Sequence, residues 1–132
     1  MNSLHFSIWA IIIACIFPYV FSKIAVYKSG YDLKQHGGNH REFLQNSTGL
    51  AARANAVQQN SFEILPLFIA SILMAEYLVV SDRYVVMLGT AFLILRTIYA
   101  ICYLLDYPRL RSLVWSLATA CPLALLVLCT RI

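Results

Sequence analysis

The stretch FEILPLFIASILMAEYLVVSDRYVVMLGTAFLILRTIYAICYLL, residues 62–105, decides the fold. Two apolar runs flank the three polar residues Ser81-Asp82-Arg83, and each run is long enough to cross a hydrocarbon core of about 30 Å, which takes roughly 20 helical residues. A polar break this short leaves the second run only one way to go, back alongside the first, so the pair reads as a tight antiparallel helical hairpin.

Working outward, two more apolar blocks are found, and the four expected crossings are residues 4–27, 62–80, 84–105 and 113–130. Composition agrees: 61% of the chain is hydrophobic and only 12% charged, too little charge to coat a water-facing surface. The blocks are also too long for the alternating strands of a membrane barrel. The expected fold class is therefore an all-α membrane protein, a single four-transmembrane-helix domain over residues 1–132. Pro18, Pro66 and Pro122 lie inside spans, where neighbouring helices can satisfy the freed backbone groups, so kinks are expected rather than breaks.

The connections differ. Lys28 to Asn46 is polar, carries Gly30 and Gly37-Gly38, and reads as a loop. Ser47 or Thr48 is the expected cap of a helix that starts near Gly49 and makes two or three turns before entering the membrane. Asp106-Tyr107-Pro108 breaks the chain before the last span. The N-terminal block lacks a basic leader and a small-residue cleavage site, so it is expected to stay attached.

Cations set the expected orientation. Lys23, Lys28, Lys34, Arg41, Arg53, Arg96, Arg109 and Arg111 fall at one end of the spans, with only Arg83 and Arg131 at the other. This asymmetry predicts a cytoplasmic first loop and both termini away from the cytoplasm. The net charge of +4 thus reads as topology, and a nucleic-acid partner is not expected, since no water-facing basic surface is available. Cys15, Cys102, Cys121 and Cys129 lie in spans without paired spacing and read as small buried hydrophobes. Gly37-Gly38 between His36 and His40 argues against a helix aiming both at one ion, so no metal site is expected.

The chemistry lies in polar residues within the spans, where ionisable groups are paired or functional by default. Counted inward from the short turn at about 1.5 Å per residue, Glu63 lies roughly 26 Å deep, Asn60 roughly 30 Å, Arg96 roughly 18 Å, Tyr99 roughly 22 Å and Tyr103 roughly 28 Å. Arg111, counted from Thr130, lands at roughly 28 Å. These residues share one slab toward the cytoplasmic face. On the helical wheel Arg53 and Asn60 project together, and Arg96, Tyr99 and Tyr103 share one arc. Two readings stand: a structural Glu63–Arg96 pair locking the bundle with the tyrosines as interface anchors, or a polar site for a charged ligand, open to the cytoplasm and bordered by lipid.

The run Arg53-Ala54-Asn55-Ala56-Val57-Gln58-Gln59-Asn60-Ser61-Phe62-Glu63-Ile64-Leu65-Pro66-Leu67-Phe68 resembles the signature of the MAPEG family, the membrane-associated proteins of eicosanoid and glutathione metabolism. Arg96-x-x-Tyr99-x-x-x-Tyr103 followed by Arg111-Ser112 is similar to that family's third and fourth helices. The resemblance, to a bacterial-type member, implies a homotrimer in a bacterial inner membrane. Its sites would lie between subunits near the cytoplasmic side, with glutathione as cosubstrate and a lipophilic small molecule arriving from the bilayer. Carried over by position, Arg53, Asn60, Glu63, Tyr99, Tyr103 and Ser112 would contact the tripeptide or order its pocket, and Arg96 would be a buried partner. Arg111 would stabilise the thiolate, with Arg109 as its rival because the preceding loop varies in length.

The chain departs from the pattern at Ala56 and Gln59, where many catalytic members carry arginines, which would leave a glutathione carboxylate short of a bidentate partner. The family also contains a non-enzymatic lipid-binding member. The resemblance therefore implies a glutathione-dependent transferase or peroxidase-like protein, with a non-catalytic lipid-binding or scaffold protein as the alternative.

Overall fold

A computed structural model describes residues 2–32, 35 and 37–131. Lys34 and His36, which entered the charge tally and the metal reading, lie outside the described residues. The chain is helical, with no strand among the described residues: α1 Ser3–Ser29, α2 His40–Gln45, α3 Gly49–Tyr77, α4 Asp82–Leu104 and α5 Pro108–Cys129. Three helices, α1, α4 and α5, are long and apolar enough to cross a membrane. The longest helix, α3, is continuous but carries Glu63, Pro66 and Glu76 along its apolar stretch and falls short on composition.

Local signals explain the boundaries. Asn2 caps α1 by accepting from the Leu4 amide at 2.9 Å, and Gly30 ends it in the left-handed conformation at φ 75°. The polar connection contains a helix where a loop was expected. Asn39 accepts from the Glu42 amide at 3.3 Å, and Leu44 is buried beside Ala25 and Ala54. One capped turn with one buried anchor is enough to fix it. Thr48 stands at the N-cap position of α3 but makes no side-chain cap bond, and the Ser47 hydroxyl donates instead to the Leu44 carbonyl.

The hairpin turn lies slightly earlier than its polar residues suggest. Leu78 to Ser81 make it, with Val79 at φ 56°, and Asp82 and Arg83 already belong to the first turn of α4. An acid in a first helical turn favours the helix dipole, which accounts for the shift. Between α4 and α5, Asp106 takes φ 63°, and Pro108 opens α5 about five residues before the expected apolar block, a first-turn position where its missing N–H costs nothing.

Packing runs on small residues. The face of α1 that is buried consists of Ser3, Ser7, Ala10, Ala14, Pro18, Phe21 and Ala25, spaced by threes and fours, and it lies chiefly along α3. Its large side chains, among them Ile8, Trp9, Ile12, Ile13 and Ile16, point outward. Small inside and large outside is the pattern expected where lipid, not water, surrounds the bundle. Gly89 of α4 makes room for the Phe6 ring: a Cβ there would meet it at 2.7 Å. Phe68 and Phe92 stack at 4.2 Å in the same core.

At the end where α1 begins and the hairpin turns, the polar groups close on one another. Ser3 and Ser7 both reach Glu76 Oε1 at 2.6 Å, and the Ser3 hydroxyl also lies 2.8 Å from Asp82 Oδ1. Both serines are almost fully buried. Their spacing of four on the small-residue stripe was the only sequence signal for this contact.

Candidate functional site

The other end is built differently. On α4 the spacing 96, 99, 103 turns three polar side chains to one side, toward α3 and α5. Arg96 is 3% exposed. Its Nη1 donates to Asn60 Oδ1 at 2.8 Å and its Nη2 to Ser61 Oγ at 3.1 Å, while its guanidinium lies over the Tyr99 ring at 4.3 Å. Nε is buried and has no partner among the described residues. The Ser61 hydroxyl donates its hydrogen bond to the Val57 carbonyl at 2.7 Å, leaving its lone pairs for the arginine.

The stack continues along α4. Tyr99 and Tyr103 meet edge to face at 5.8 Å, and the Arg111 guanidinium covers the Tyr103 ring at 4.2 Å. Pro108 starts α5 where it does, so Arg111 falls in the first turn with its amide bonded to the Tyr107 carbonyl at 2.9 Å. Arg96, Tyr99, Tyr103 and Arg111 thus alternate as cation, ring, ring and cation, and each guanidinium gains from a ring face.

An open cavity of about 340 Å³ lies against this stack. Asn60, Tyr99, Tyr103, Arg111 and Ser112 line it, as do Trp115 and Ser116. No acidic side chain does, so its one lining charge, Arg111, is positive. The hydroxyls of Ser112 and Ser116 donate to the carbonyls of Pro108 and Ser112 at 3.0 and 3.1 Å, one helical turn back, and so face the cavity as acceptors. Such a cavity suits a polar ligand bearing an anionic group, with Trp115 as an apolar flank.

Three expected residues lie elsewhere. Arg53 is half-buried, and its Nε donates to the Leu104 carbonyl at 3.1 Å, satisfying the end of α4 rather than lining the cavity. Arg109 is exposed and off the cavity wall, whereas Arg111 lines it. Glu63 is exposed, and among the described residues it has no hydrogen bond or ion pair.

The expected Glu63–Arg96 pair is therefore not formed within the chain. Asn60 and Ser61 face Arg96, whereas Glu63, about 60° from Asn60 and about 160° from Ser61 round α3, turns outward. There it lines a second polar cavity of about 390 Å³ with Arg41, Gln45, Asn55, Gln58, Gln59 and Phe62.

Sequence reasoning missed Ser61, Trp115 and Ser116. Ser61 was legible as a small polar residue beside Asn60 on the buried side, and Trp115 and Ser116 as one turn beyond Arg111 and Ser112.

The model of the MAPEG family matches residues 6–131, nearly the whole chain and all the elements that build this cavity. The chain belongs to the MAPEG family. No curated protein and no solved structure matches it. Membership and the three apolar helices together make this MAPEG chain an integral membrane protein. At the two departures from the family pattern, Ala56 is half-buried on α3 and Gln59 is exposed on the wall of the second cavity.

Proposed function

We propose that this MAPEG chain is a membrane glutathione-dependent transferase or peroxidase-like protein, in which Arg111 stabilises the glutathione thiolate for attack on a lipophilic electrophile. The observation that carries the reading is the acid-free cavity with Arg111 over Tyr103 and Asn60 on the facing helix. A thiol is mostly protonated near neutral pH, and the thiolate is the nucleophile. A guanidinium beside the sulfur in a site bordered by lipid favours the ionised form. The proton leaves to water, and the sulfur lone pair forms the new bond as the electrophile's leaving atom takes its electrons. Tyr99 and Tyr103 offer hydroxyls to the peptide, and Ser112 an acceptor.

The working unit in this reading is a homotrimer of four-span protomers in a bacterial inner membrane, with α3 as the fourth crossing. Support comes from Glu63, a charged group exposed on a helix set among apolar spans, which a neighbouring copy would cover. Both termini lie away from the cytoplasm in this arrangement. A reporter fused after Gly38 should behave as cytoplasmic and one fused after Ile132 should not; finding both on one side would overturn the orientation.

A second reading, a non-catalytic lipid-binding or scaffold protein, is favoured by Ala56 and Gln59, which leave few cations for the two carboxylates of glutathione. Calorimetry on the purified protein in detergent separates the two. Saturable glutathione binding is expected, and its absence would hand the site to the second reading.

A further inference from the structure

The partners of Arg96 carry a consequence for the cavity wall. A guanidinium has five N–H donors and no acceptor, so the atom of the Asn60 side chain that faces it can only be the amide oxygen. The 2.8 Å contact from Nη1 therefore fixes more than a distance. It fixes which way round the amide sits, and it leaves Nδ2, with two N–H groups, as the polar end that Asn60 has to offer the cavity it lines. Arg96 is itself held on three sides, by Asn60, by Ser61 at 3.1 Å and by the Tyr99 ring, and its 3% exposure keeps water from competing for the amide oxygen.

We propose that Arg96 and Ser61 are positioning residues: they lock the Asn60 amide with its oxygen inward, so that this wall of the cavity presents a donor and selects an anionic or acceptor-bearing group. Without Arg96 the amide could turn either end toward the ligand, and the wall would lose its sign. Ser61 matters because its hydroxyl, committed as a donor to the Val57 carbonyl, can only accept from Nη2 and so keeps the guanidinium in register with Asn60. The inference rests on the glutathione reading only for its choice of ligand.

The test combines a spectroscopic signature with binding. In ligand-free protein labelled with ¹³Cγ-asparagine, the Asn60 carbon, assigned by its loss in Asn60→Asp, should resonate downfield of the exposed asparagines, because its oxygen accepts from a cation. It should return to their range in Arg96→Met. Asn60→Asp keeps an oxygen toward Arg96 but turns the donor into an acceptor. It should fold and bind glutathione roughly tenfold or more weakly, as expected for a lost hydrogen bond to a charged ligand.

An ordinary Asn60 shift in the wild type, a shift unmoved by Arg96→Met, or wild-type affinity in a folded Asn60→Asp would each overturn the proposal. The wild-type shift and Asn60→Asp decide it even if Arg96→Met does not fold. Should the wild type bind no glutathione while the carbon still reports Arg96, the glutathione reading falls and the positioning role stands.

Discussion

The two ends of this helix bundle both hold buried polar side chains, and they spend them in opposite ways. Where α1 meets the hairpin turn, the buried Ser3 and Ser7 hydroxyls both reach Glu76, and Asp82 lies within 2.8 Å of Ser3. Where α4 passes to α5, Arg96 is anchored by neutral oxygens, while Arg111, Asn60 and two tyrosines border open space. A closed network in lipid holds helices together. An open one, with a cation and no acid on its wall, is fitted to hold a ligand. Polar residues in spans therefore do not mark a site until their partners are known.

The largest effect should come from the anchored guanidinium. Arg96→Leu leaves the Asn60 amide oxygen and the Ser61 hydroxyl without their buried donor, and each buried acceptor left unsatisfied typically costs about 1–3 kcal/mol. A sharp loss of thermal stability in detergent is expected. In double-mutant cycles Arg96 should couple to Asn60 and add independently with Glu63; coupling to Glu63 instead would mean that assembly brings the two together after all.

A smaller effect is expected at the closed end. Ser7→Ala removes one hydroxyl bond to a carboxylate, about 1–2 kcal/mol, and should lower the melting temperature without changing glutathione affinity. A change in affinity would break the division between a structural end and a binding end.

Much of this was legible in the residues. Apolar runs of about 20, the polar hairpin turn and the depth count on Asn60, Tyr99, Tyr103 and Arg111 were enough to bring those four into one slab, and the cavity contains all four. The Glu63–Arg96 pair was not legible, because a carboxylate and an amide three residues apart differ only by a rotation of about 60° about the helix axis. Which of them meets the arginine depends on how α3 packs, and packing is set by small residues such as Ala54 and Ser61 that carry no charge signal. The short helix α2 escaped for a related reason. A single cap at Asn39 and one buried Leu44 are weak signals until Ala25 and Ala54 supply the surface they dock on.

The account turns on Arg111. Its guanidinium is half-buried over Tyr103 and has no hydrogen-bonded partner among the described residues, so Arg111→Ala should cost no more than about 1 kcal/mol of stability. The direct measurement is the thiolate absorbance that appears when glutathione is added to the purified protein. The wild type should show it, Arg109→Ala should keep it, Arg111→Lys should retain part of it, and Arg111→Ala should lose it while remaining folded. A thiolate signal that survives Arg111→Ala, or disappears only in Arg109→Ala, would contradict the assignment.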